Sequence, residues 1–119
     1  MQASTPHWPH VLITGASSGI GRALALAVAG PGVTLHIGGR DATRLAATAA
    51  DCAAAGATVR PQAADVRDAA AMAGWIANCG RLDLVIANAG ISAGTGGETE
   101  PPAQARAIFE TNVTGVLNT

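Results

Sequence analysis

Thr14-Gly15-Ala16-Ser17-Ser18-Gly19-Ile20-Gly21 joins a short apolar run, Val11 to Thr14, to an alanine- and leucine-rich stretch of helical character, Gly19 to Ala29. The three glycines meet three needs of a strand-to-helix turn. Gly15 permits the sharp exit from the strand, Gly19 lets a bound group approach the backbone where a Cβ would stand, and Gly21 lets the helix lie close to the strand. Ser17 and Ser18 add hydroxyl donors. The amides of Ser18, Gly19 and Ile20 open the helix, where unpaired N–H groups and the helix dipole favour an anion. An ordinary Gly/Ser connection requires neither this position nor this spacing, so the segment predicts a cradle for a diphosphate.

Outward from this turn the same alternation repeats. Strand candidates at Val33–Ile37, Thr58–Pro61 and Leu82–Ala87 join Val11–Thr14, each short and mostly apolar, as in strands covered on both faces. Helix candidates at Thr43–Ala55 and Ala69–Cys79 lie between them, with Asp41 and Asp68 placed as N-caps and Gly30 and Gly56 as helix stops. Strands alternating with helices are βαβ units. Right-handed crossovers then restrict the topology and favour an α/β, Rossmann-type doubly wound parallel sheet in the order 3-2-1-4, with helices on both faces. Residues 1–10 read as an irregular N-terminal segment and residues 11–119 as a partial dinucleotide-binding domain. A polar, Gly-rich loop from Asn88 to Glu100 precedes a helical pattern running from Pro102 to Thr119. Val113, Val116 and Leu117 keep an apolar spacing to the last residues, without a cap or polar tail. The expectation is a truncated domain whose fourth strand has an open edge and whose last helix has an uncovered apolar face.

The 119 residues are 49% hydrophobic and 13% charged, which suits one packed domain rather than a solvated chain. A formal net charge of −1 supplies no broad field for nucleic acid or an anionic membrane, so an anion must be met by a local device. No run approaches the roughly 18 apolar residues of a membrane span, and the N-terminal stretch lacks the basic-then-apolar pattern of a leader. The reading is a cytoplasmic protein with neither a nucleic-acid nor a membrane partner. Cys52 and Cys79 stand far apart in helical stretches, which suits buried free thiols better than a disulfide or a metal site.

The spacing TGxxxGxG resembles that of the short-chain dehydrogenase/reductase (SDR) family, and three further segments agree in order. Arg22 follows the glycines as a basic residue often does there. Asp65-Val66, after the third strand, resembles the family's adenine-contacting pair. Leu82 to Gly90 resembles LDxLVNNAG, with Ala87 in place of the usual first Asn; Asn88, followed by Ala89 and Gly90, is the Asn that the resemblance assigns to bracing the central strands. Asn112-Val113-Thr114-Gly115 resembles the NVxG segment whose Asn joins the catalytic tetrad. Taken singly, Asp65 could cap a turn, Asn88 could serve a loop and Asn112 could be a polar helix position; their order and spacing argue against all three together.

The resemblance implies hydride transfer between a nicotinamide dinucleotide and a small-molecule carbonyl or alcohol, through a relay of Asn, Ser, Tyr and Lys, in a protein that forms homo-oligomers when complete. Asn112 is the relay's one member here, because the chain has no Tyr and all seven of its basic residues are Arg. His7 and His10 fall in the lead-in and His36 within a strand, so none suits a catalytic role. The likeness runs from Val11 to Thr119, about the first half of a typical member, and implies the cofactor-binding half of an oxidoreductase. A non-catalytic nucleotide-binding module or an inactive remnant is the alternative. A sugar-nucleotide epimerase or dehydratase of the related extended family fits less well, since those proteins usually show TGxxGxxG.

Cofactor choice is read at the end of the second strand, where NAD-selective sites place an acid that accepts from the adenosine 2′-hydroxyl. Here the stretch is Gly38-Gly39-Arg40. Arg40 suits a 2′-phosphate, Asp41 is better used as a cap, and Arg44 adds a weaker positive claim. NADP(H) is therefore expected in preference to NAD(H).

Overall fold

A computed structural model describes residues 8–90 and 102–119. The chain runs β1 (His10–Ile13), α1 (Gly19–Val28), β2 (Thr34–Gly39), α2 (Ala42–Ala54), β3 (Thr58–Ala63), α3 (Ala69–Cys79), β4 (Leu84–Ile86), α4 (Pro102–Phe109), a π-helical turn (Glu110–Thr114) and α5 (Gly115–Asn118). The strands form one parallel sheet in the order β3-β2-β1-β4, a Rossmann-type arrangement as expected. Most of the N-terminal segment, with His7, and the Gly-rich loop beyond Gly90 lie outside the described residues.

Register explains the core. Ile13 pairs with Ile37 and Val11 with both Leu35 and Leu84. Because side chains alternate across a sheet, Val11, Ile13, Leu35 and Ile37 share one face, where they join Ala25 of α1 and Leu45 and Cys52 of α2 in a buried cluster. Leu12 and His36 point to the other face, as does Gly38, which lies beneath the Trp75 ring of α3. Helices therefore cover both faces of the central pair of strands.

The outer strands depart from the expectation of burial on both faces. β3 is largely exposed, and β4 keeps only three residues, half-exposed. Both are edge strands among the described residues, and Arg60, Pro61 and Gln62 suit an edge: the charge is solvated and proline has no N–H to offer a neighbour. At the other end of the sheet, His10 belongs to β1 and not to the lead-in. Its N–H donates to Asp83 Oδ2 at 3.0 Å, and the N–H of Thr34 donates to the Pro9 carbonyl at 2.8 Å, which extends the pairing backwards.

Asp41 and Asp68 cap α2 and α3 as expected, accepting from the N–H groups of Arg44 and Ala71, each at 3.0 Å. Gly56, at φ 106°, stops α2. Gly30 does not stop α1: the chain already turns extended at Ala29, Pro31 disfavours a helical residue before it, and Gly32, at φ 83°, makes the turn into β2. Gly80, at φ 71°, follows α3 in the same role, which sequence did not single out. The C-terminal pattern is not one regular helix, since the π turn interrupts it at Glu110–Thr114. Phe109, Val113 and Leu117 stay exposed there, Leu117 at 81%, in keeping with the expected uncovered face. Both thiols are free; Cys52 is buried, whereas Cys79 is only half-buried, with Sγ 3.2 Å from the Trp75 carbonyl oxygen.

Candidate functional site

α2 and α3 each begin under an aspartate, but α1 does not. Ser18, its N-cap residue, is extended at φ −160° and makes no side-chain capping bond, and the first turn holds no acid. A helix of ten residues thus begins with amides that no carboxylate caps, against a cavity of about 460 Å³ lined by Ser17, Ser18, Gly19 and Ile20.

The three glycines meet different surroundings. Gly15 has φ 67°, and a Cβ there would sit 2.7 Å from Ala89 Cα. A Cβ on Gly21 would fall on the Gly15 carbonyl. Gly15 is demanded by the close approach of the chain leaving β4, Gly21 by the packing of α1 on the loop. Gly19, at φ 56°, differs: a Cβ would meet no atom within 4 Å, so its side of the backbone is open. An open, uncapped helix start beside a cavity fits a diphosphate, and this is the test a dinucleotide must pass.

The loop is held from both sides. Thr14, 1% exposed, receives the N–H groups of Asn88 and Ala89 on Oγ1, each at 3.0 Å, and Asn88 Nδ2 donates to the Gly15 carbonyl at 3.4 Å. On the other side the Ala16 N–H donates to the Gly38 carbonyl at 2.9 Å. The ends of β1, β2 and β4 are thereby locked together around the cradle.

Beyond the cradle the cavity extends toward the ends of β2 and β3. Arg40 lines it and is exposed. Asp41 lines the cavity too, half-exposed, with Oδ1 accepting the Arg44 N–H that caps α2 and Oδ2 3.5 Å from Arg44 Nε. Trp75 forms part of the same wall, and a Cβ on Gly38 would lie 2.5 Å from its ring. Asp65 is paired with Arg67, at 2.7 Å to Nη2 and 3.0 Å to Nε, and the guanidinium's hydrogen bonds hold the carboxyl below the ordinary aspartate range. Val66 is buried; Gly115 lies so near that a Cβ there would collide with it, and the Val66 carbonyl accepts from Asn118 Nδ2 at 2.9 Å.

Of the residues expected from sequence, Gly15, Ser17, Ser18, Gly19, Ile20 and Arg40 line this one cavity. So do Asp65, Val66, Asn88, Ala89 and Gly90. Gly21 lies under the loop, outside the lining. Asn112 stands on the π turn beside Gly90, its Oδ1 3.2 Å from where a Cβ on Gly90 would be, and it too is outside the lining. Arg22 serves elsewhere, pairing with Asp51 and donating to Thr48 Oγ1 at 3.0 Å, which ties α1 to α2. Sequence reading missed the lining residues Trp75 and Thr111 and the bracing role of Thr14; only Thr14, inside the quoted motif, carried any signal. Among the described residues no cluster of three or more His, Cys, Asp or Glu could hold a metal, and no helix is long and apolar enough to cross a membrane.

Comparison with known proteins bears on this geometry. The model of a family described as short chain dehydrogenase matches residues 9–119. An uncharacterized oxidoreductase of Myxococcus xanthus is 45% identical over 112 residues, covering 91% of this chain and 44% of that protein. A 3-ketoacyl-ACP reductase from Sinorhizobium meliloti superposes with a TM-score of 0.79 at 37% identity, over 92% of this chain and 45% of its own. A 3-oxoacyl-[acyl-carrier protein] reductase from Brucella melitensis, solved with bound NAD, gives 0.79 at 33% identity over 95% of this chain and 46% of its own. The chain thus spans a little under half the length of these relatives.

Proposed function

Because the chain belongs to the short-chain dehydrogenase family, we propose that it holds NADP(H), with the diphosphate on the amides of Ser18, Gly19 and Ile20. The observation that carries this reading is the uncapped start of α1, open at Gly19, inside the cavity that gathers the family's motif residues. Arg40 takes the 2′-phosphate through charge-assisted contacts of about 1.5 to 3 kcal/mol, roughly a tenfold to hundredfold preference over NAD(H). The NAD held by the Brucella relative belongs to that protein; the choice here rests on Arg40 and on an Asp41 already committed to α2. Asp65 and Val66 border the adenine, and Asn88, Ala89 and Gly90 wall the route toward the nicotinamide.

Bound, the cofactor supplies hydride chemistry. Asn112, beside Gly90, is proposed as the chain's contribution to the proton relay for a small-molecule carbonyl or alcohol. These 119 residues contain neither Tyr nor Lys, so turnover in the whole protein, which we place in the cytoplasm as a homo-oligomer, draws on residues outside them. The alternative reading is a nucleotide-binding module without turnover. Titrating the purified protein with NADPH and NADH, alongside Arg40→Ala, tests the proposal: NADPH should bind at least tenfold more tightly, with the gap closing in the variant. Equal affinities, or an unchanged gap in Arg40→Ala, refute the 2′-phosphate contact. Tight NADPH binding by the full-length gene product with no reduction of any carbonyl offered favours the module.

A further inference from the structure

Thr111 is 4% exposed and lines the cavity, yet its hydroxyl has no hydrogen-bond partner among the described residues. The other buried threonines differ. Thr14 accepts two N–H groups, and Thr48 donates back to the Arg44 carbonyl at 3.3 Å, as helical threonines commonly do. Thr111 sits in the π turn and makes no such bond. A buried hydroxyl without a partner destabilises the ligand-free fold, and a ligand that supplies the missing bond recovers that loss on binding.

The location indicates which part of a ligand this is. One turn onward, Gly115 lets the segment settle directly on Val66. Thr111, four residues before Gly115, lines the same cavity as Val66, Asp65 and Arg40. With the diphosphate on α1 and the adenine at Asp65 and Val66, as proposed above, the contact of Gly115 with Val66 puts this segment on the adenosine side.

We propose that the Thr111 hydroxyl hydrogen-bonds the adenosine half of the dinucleotide, rotation about Cα–Cβ exchanging methyl for hydroxyl at the cavity wall. This rests on reading the cavity as a dinucleotide site. It makes Thr111 a positioning residue that holds the adenosine while the cradle holds the diphosphate.

Thr111→Val keeps the shape and removes the hydroxyl; Thr111→Ser keeps the hydroxyl. Binding of NADP+, of 2′-phospho-ADP-ribose and of inorganic pyrophosphate would be measured for both variants and the unmodified protein, with thermal unfolding of each ligand-free form. Thr111→Val should weaken the two adenosine-bearing ligands about fivefold to thirtyfold and leave pyrophosphate unchanged. Thr111→Ser should stay within about threefold, and ligand-free Thr111→Val should unfold no earlier than the unmodified protein. Unchanged binding of 2′-phospho-ADP-ribose by Thr111→Val overturns the proposal. So does an equal loss of pyrophosphate binding together with earlier unfolding, the mark of a merely structural role. Failure of the unmodified protein to bind any of the three removes the dinucleotide reading itself, and this inference with it.

Discussion

Thr14 Oγ1 accepts the N–H of Asn88 at 3.0 Å, across 74 positions of sequence, and so joins the residue after β1 to the chain leaving β4. The Ala89 N–H reaches the same oxygen at 3.0 Å. One hydroxyl thus satisfies two amides where the glycine loop meets the cavity wall. Thr14→Val leaves both without that acceptor and should destabilise the protein by about 1–3 kcal/mol while weakening NADPH binding. Thr14→Ser should retain both properties. Urea unfolding and titration of the two variants check this; a valine variant with unchanged midpoint and affinity would show that the bridge is dispensable.

Gly19 and Gly21 separate binding from folding. Gly21→Ala drives a Cβ into the Gly15 carbonyl and should lower the unfolding temperature severely. Gly19→Ala places a methyl group in open space at φ 56°, costing the fold about 1 kcal/mol, but it stands where phosphate oxygens approach. It should fold and bind NADPH at least tenfold more weakly. Comparable unfolding temperatures for the two variants, or full affinity in Gly19→Ala, would contradict this division.

Trp75 lines the cavity, so bound NADPH should quench its emission. Trp75→Phe should lose most of the binding-induced fluorescence change while calorimetry still detects binding. A quench persisting in Trp75→Phe would assign the signal to Trp8.

His36 is 3% exposed, beside Arg60 on β3 and on the α3-covered face of the sheet. Burial depresses its pKa most, and the charges of Arg60 and His10 lower it further. The unfolded chain therefore binds the proton more readily, and stability should fall as pH drops below the ordinary imidazole value of about 6.5. Asp65, held low by Arg67, keeps its contribution until the carboxylate range is reached, so the two effects separate. His36→Gln should flatten the slope of unfolding free energy between pH 7 and about 5. An unchanged slope would assign it to other groups.

What was legible in sequence follows from range. α3 begins where read because Asp68 caps it through a local bond, while its end is set by Gly80, which composition alone did not mark; strand–helix alternation and crossover handedness restrict the topologies to a few, of which β3-β2-β1-β4 is the one found. The exposure of β3 and β4 depends on which strands end at an edge, which no single strand's composition states. Gly30 looked like a helix stop, but Pro31 and Gly32 decide the turn. Within the site, the glycine loop, Arg40 and Asn88 announced themselves by motif, whereas Trp75 and Thr111 enter only through tertiary packing of α3 and the π turn. Arg22, next to the motif, is drawn instead to Asp51 on the neighbouring helix.

The claim on which the rest depends is that diphosphate oxygens rest on the amides that open α1. Backbone amide spectra of the protein titrated with NADP+ address it directly. The largest shifts should fall at Ser18, Gly19 and Ile20 and saturate with the binding isotherm. Saturable binding that leaves those three amides unmoved would contradict the account.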